Sequence, residues 1–297
     1  MRLSVRHVTE YAYEPGAERV ALRLRLWPGR FAGQMPGDWT VQVNGAEVVA
    51  LCRDTWGNPV GLWRSGAALG RIEICASGQV ATEDKVGIVD GLRSHPPVGV
   101  FLRETALTEA TPPLLAFAHG VAGEERLPWL HALCDAVSEA VLYRPSATTP
   151  ATGAAAALEL GAGVCQDQAH LFVASARACG VPARYVVGYL AAEDRVEGAE
   201  AEIETHAWAE AFVPDIGWIG FDPTHRRCPT ERYVRLTAGL DATDAAPVNG
   251  VFSGRAEVAM SARVAIAPDA APGASRAPSP DQGQDGQAQA QQQGPAQ

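Results

Sequence analysis

One unbroken run, GAGVCQDQAHLFVASARACGVPARYVVGY, spans residues 161–189 and limits the chain to a helix followed directly by a strand. From Cys165 the apolar residues Ala169, Phe172, Val173, Ala176 and Cys179 recur at helical spacing, which predicts a half-buried helix over 165–179. Gly180 and Pro182 stop it, one suited to a left-handed cap and the other unable to continue a helix. From Arg184 to Leu190 the residues turn β-branched and aromatic, so a strand follows. Cys165 therefore sits in the first turn, where backbone N–H groups lack internal partners and the helix dipole favours an anion. A thiol so placed ionises more readily than a free one, and the thiolate is the nucleophile.

An isolated cysteine would read as a packing residue. Two later segments change that reading. THAWAEAFV (205–213) alternates, with His206, Trp208 and Glu210 on one face and alanines on the other. After the turn residues 214–217 comes WIGFDPTH (218–225), and the two runs form a hairpin. His206 and Asp222 then lie on neighbouring strands. Cys165, His206 and Asp222 are the parts of a nucleophile, its base and the group that orients the base. The register matters. A two-residue turn over Asp215 and Ile216 would put Asp222 opposite Ala209, on the wrong face from His206. A three-residue loop over 213–215, or a bulge, would pair 206 with 222, and that outcome is expected.

GVCQDQAHL, ARYVVGYL, THAWAEAFVPDIGWIGFDPT and the upstream TTPA (148–151) resemble the core of the bacterial transglutaminase-like superfamily. Residues 1–92 resemble the β-rich region that often precedes it. The resemblance implies an α+β protein: a papain-like core, its cysteine-bearing helix packed on an antiparallel sheet, behind an N-terminal sandwich-like domain. It implies Cys165 as nucleophile, His206 as base and Asp222 as orienting group, acting on amide bonds of a protein or peptide through a thioester. A cysteine protease or amidase is the expected activity. The alternatives are a true protein-glutamine transglutaminase or a non-catalytic scaffold on the same fold. Two positions depart from the expected pattern, Gln168 in place of an aromatic residue and His225 in place of Asn.

The first 92 residues fit this picture. Leu3, Val5 and His7 alternate with polar neighbours, and Val20, Leu22, Leu24 and Leu26 point inward with Arg23 and Arg25 outward. Further strands are expected at 40–43, 47–52 and 71–75, with Asn44-Gly45 as a hairpin turn. The expected division is 1–92 for this domain, 93–266 for the core and 267–297 for a disordered tail rich in Gln, Pro and Ala.

Within the core, 93–113 reads as a connector and 114–119 as a short helix. A helix over 128–143 and an Ala-rich one over 153–160 come next. Residues 226–254 read as irregular with short strands, and 255–266 as a closing strand. His170 is expected as a core histidine, and Cys134, Cys179 and Cys228 as packing residues. Trp208 and Trp218 fill the core, while Gln166 and Asp167 brace the loop. The acidic segment after Leu190 reads as a solvated face.

A net charge of −10 argues against a nucleic-acid surface. The start lacks the apolar stretch of a signal peptide, and no run is long enough for a membrane helix. The six cysteines include no C-x-x-C pair and are expected as free thiols in a reducing, cytoplasmic setting. No cofactor or metal is expected, since the acidic segment lacks a calcium-loop pattern.

Overall fold

The computed structural model describes residues 1–92, 96–121, 123–192 and 205–268. The acidic segment from 193 to 204 and the tail from 269 lie outside the described residues. The first strands are β1 (Arg2–Ala17), β2 (Arg19–Leu24), β3 (Gln34–Val43), β4 (Ala46–Glu47), β5 (Cys52–Arg53), β6 (Pro59–Arg64), β7 (Leu69–Thr82) and β8 (Ile88–Val89). Then come α1 (Pro112–Gly120), α2 (Arg126–Ala140), β9 (Leu142–Tyr143), α3 (Ala154–Leu160), β10 (Ala162–Gly163) and α4 (Cys165–Ala178). The chain continues with β11 (Ala183–Leu190), β12 (His206–Val213), β13 (Gly217–Phe221), β14 (Tyr233–Gly239), β15 (Val248–Ser253) and β16 (Glu257–Pro268).

Alternation drives the N-terminal sheets. Val20, Leu22, Leu24 and Leu26 are buried, as expected, and Asn44 and Gly45 take the positive φ values that their turn requires. Arg25 departs from expectation. It is buried, and its guanidinium donates to Asp54 at 2.6 Å and to the Ala246 carbonyl, so the charge is paired rather than solvated. The expected strand over 47–52 is replaced by the two short strands β4 and β5.

The domain boundary also needs correction. One sheet has the order β16-β1-β7-β3-β4 and the other β15-β2-β6-β5. Strands β15 and β16, expected in the core, thus complete the two N-terminal sheets. Conversely, β8 pairs with β13 and belongs to the core sheet, whose order is β14-β11-β12-β13-β8. The last strand extends to Pro268, which pairs with Leu3.

In the core, α4 is buried all round rather than on one face, from Asp167 to Arg177. Ala207, Ala209 and Ala211 of β12 share its cluster with Leu130, Leu133 and Val137 of α2, so the helix is sandwiched between the sheet and the other helices. Gly180 ends it with φ +73°, the left-handed cap that the sequence indicated. Beyond the helix, on the same face of the sheet, Tyr189, Val234 and Leu236 join the N-terminal apolar core.

Two stretches are more ordered than their composition suggests. The connector buries Phe101 and Thr108, whose carbonyl and hydroxyl accept hydrogen bonds from buried Arg177. β14 arises in the stretch read as irregular and is buried at every position. Helix α2 starts two residues earlier than expected and ends before Tyr143, which is exposed.

Candidate active site

Asp167 sets the start of α4. Its Oδ2 accepts from the Val164 N–H at 2.8 Å and from Thr148 Oγ1 at 2.6 Å, tying the TTPA loop to the first turn. This is the bracing role expected of Asp167, and Gln166 similarly donates to the Pro150 carbonyl. Gly163 makes room for it, because an added Cβ would lie 2.6 Å from Asp167 Oδ2. Cys165 follows an extended Val164 and opens onto two cavities.

His206 begins β12 and pairs with Gly188 of β11. A side chain at 188 would strike the Val234 carbonyl at 2.1 Å and the Trp208 ring at 2.6 Å, so glycine is required there. His206 Nε2 lies 2.8 Å from Asp222 Oδ2, and the ring also hydrogen-bonds to Cys165, which leaves Nδ1 for the sulfur. Burial alone would lower the imidazole's pKa. The hydrogen bonds to Asp222 and Cys165, together with their charges, instead raise it to about 10.

The hairpin reaches this arrangement by a register other than the two weighed from sequence. Val213 pairs with Gly217 and Ala209 with Phe221, around a three-residue loop, 214–216. Asp215 in that loop has φ +66°. One step past Phe221, Asp222 falls level with Trp208 rather than His206. The parity is right, so both side chains share a face, and the bond is diagonal.

Asp222 is fully buried. Its Oδ2 accepts from His206, from the Tyr233 hydroxyl at 2.7 Å and from His225 Nδ1 at 2.9 Å, while Oδ1 accepts from the Thr224 N–H. Burial would raise its pKa, but the bonds to His206 and His225 hold it well below the usual carboxylate range. Tyr233 was not legible as a site residue, since it opens the strand read as irregular. His225, which the sequence marks only as a departure from the family pattern, is a direct donor to Asp222. Gln168 bridges helix and turn, donating to the Val141 carbonyl and accepting from Thr224 Oγ1 at 2.6 Å. Both departures from the family pattern therefore converge on the turn that carries Asp222.

The remaining candidates play the expected packing parts. His170 is buried, with its Nε2 accepting from the Ala242 N–H, its ring against Tyr185, and its pKa lowered by burial to about 4. Cys134 is buried, Cys179 and Cys228 are partly so, and desolvation raises all three thiol pKa values, Cys228 to about 11. All six cysteines are unpaired. Trp208 stacks beside His206, and Trp218 lies against the Arg184 guanidinium.

Among the described residues, His206, Asp222 and His225 present ligand atoms within 4.8 Å of one another. Those atoms are engaged in the imidazole–carboxylate bonds, and a cation would have to displace them. No described helix is long and apolar enough to cross a membrane.

Two family descriptions match this chain: the transglutaminase-like superfamily core over residues 116–223 and the bacterial transglutaminase-like N-terminal region over 3–81. The chain belongs to the transglutaminase-like superfamily, with its papain-like α+β fold. An uncharacterized protein of Mycobacterium leprae is 32% identical over 269 residues, covering 86% of this chain and 94% of its own. A protein-glutamine gamma-glutamyltransferase of Pseudomonas aeruginosa is 33% identical over 131 residues, 39% of this chain and 19% of that one. In fold, the chain is similar to a Cytophaga hutchinsonii crystal structure described as a candidate cysteine protease. That match has a TM-score of 0.68 and 22% identity, and covers 91% of this chain and 92% of the other.

Proposed function

We propose that the protein is a thiol enzyme that cleaves or transfers amide bonds of a protein or peptide, acting as a protease or amidase. The observation that carries this reading is the relay from half-buried Cys165 through buried His206 to Asp222, whose carboxylate is fixed by two further side-chain donors. His206, its pKa raised to about 10 by its bonds to Asp222 and Cys165, is placed to hold the proton that the Cys165 thiol gives up when its sulfur attacks. The thiolate attacks the amide carbonyl, and the electron pair moves to oxygen. The backbone N–H at the start of α4 is a donor for that oxyanion. Collapse breaks the C–N bond as imidazolium gives its proton to the departing amine, leaving a thioester. Neutral His206 then takes a proton from water, which attacks the thioester and releases the acid. Asp222 holds the imidazole in the needed tautomer throughout.

A primary amine in place of water would make the reaction a transfer. The similarity to the Pseudomonas gamma-glutamyltransferase favours testing that acceptor directly. Turnover of a peptide-amide library, with and without methylamine, should depend wholly on Cys165. A thioester adduct should be trapped by mass spectrometry. Equal turnover by wild type and Cys165→Ala would end the enzymatic reading, and amine incorporation outpacing hydrolysis would reverse the choice of acceptor.

A further inference from the structure

The two cavities meeting at Cys165 and His206 differ in chemistry. The larger, about 790 Å³, is lined by His225, Arg227 and Arg232 beside Tyr143 and Ser146. The smaller, about 350 Å³, lies within the ~300–1,000 Å³ range of small-ligand pockets. Among the described residues, no carboxylate, lysine or arginine lines the smaller cavity. One of its walls comes from the N-terminal sheet. β1 and β16 pair Tyr11 with Met260 and Thr9 with Ala262, and these residues face Val187 and Ala207 of the core sheet across the space.

That wall is held in place. His7, two residues before Thr9, shares hydrogen bonds with Thr9 Oγ1 at 3.0 Å and with the Tyr189 hydroxyl of β11 at 2.9 Å. Burial lowers the His7 pKa to about 4, so the imidazole there is neutral. Met260 leaves 60% of its surface exposed, although it belongs to a paired strand over the cleft. An unbranched thioether is well suited to adapt to an apolar group laid against it.

We propose that this cavity is a specificity subsite for a bulky uncharged side chain, aromatic or branched aliphatic, on the residue adjoining the amide that Cys165 attacks. Tyr11 and Met260 are its determinants. The N-terminal sheet is then a wall of the substrate cleft rather than a platform beneath it. This inference rests on Cys165 as the attacking group, and it can be tested separately from turnover. The test compares the alkylation rate of Cys165 by N-benzyl chloroacetamide with that by chloroacetamide, read by peptide mass spectrometry. The benzyl reagent should react at least ~10-fold faster with wild type, as burial of an aromatic group implies. In Tyr11→Ser/Met260→Ser the advantage should fall towards unity while the chloroacetamide rate holds. Ala262→Trp, which fills the space, should do the same, and the double variant decides the matter if that protein does not fold. A rate ratio of one in wild type, or an advantage that survives in the double variant, would overturn the subsite. Absence of Cys165-dependent turnover with the ratio intact would instead count against the enzymatic reading alone.

Discussion

A carboxylate oxygen that accepts three side-chain hydrogen bonds, as Asp222 Oδ2 does, is fixed in position before any substrate arrives. Tyr233→Phe removes one donor from a buried anion and should cost about 1.5–3 kcal/mol, read as a drop in urea midpoint. Asp222→Asn keeps the volume but offers His206 the wrong partner. By analogy with serine triads, kcat should fall by roughly 10⁴-fold, and a loss under tenfold would remove Asp222 from the mechanism. The pH dependence follows from signs. His206 rises from 6.5 unfolded to about 10 folded, so its proton stabilises the fold fully below about pH 6.5, and that contribution disappears as pH climbs through about 10. Asp222 works in the opposite sense: its contribution is complete above about pH 4 and fades only as pH falls through its depressed value. Unfolding free energy should therefore decline from pH 6.5 to 10 in wild type and stay flatter in His206→Gln. Parallel curves for the two proteins would contradict the assignment.

At the level of elements, α4 is where residue spacing spoke most clearly: the glycines before Cys165, the apolar repeat and the Gly180 stop all describe a helix that exists as Cys165–Ala178. Its surroundings were less legible. A stripe of six positions suggested one buried face, whereas Gln168 and Arg177 on the other sides are buried too, because their polar atoms meet the end of α2, the Asp222 turn and the connector rather than water. Periodicity registers apolar burial alone, so polar residues satisfied inside a core escape it. β14 escaped for a related reason: Val234, Leu236 and Ala238 alternate with Arg235 and Thr237, yet both polar residues are buried too, Arg235 being paired with Glu210. The hairpin register turned on Asp215 accepting φ +66°, which places the three-residue loop one position later than expected. Asp167→Ala should test the helix start. Losing the brace to Val164 and Thr148 should cost about 1–2 kcal/mol and slow Cys165 alkylation, and an unchanged alkylation rate would show that the brace does not set the thiol.

For the whole molecule, the decisive feature is that β15 and β16 return to the sheets begun by β2 and β1. A fragment spanning 93–266, the division that composition suggested, lacks the strands that β15 and β16 pair with. It should aggregate or show no cooperative melt, as should residues 1–247. A cooperative transition from either fragment would restore two independent domains. Synthesis runs from the amino end at roughly 5–20 residues per second. Tyr11 is therefore made early but has no Met260 opposite it until almost the entire described chain has left the ribosome. Cys165 and His206 are likewise synthesised before that side of their cleft, so nucleophile and wall come together only when the last strand joins.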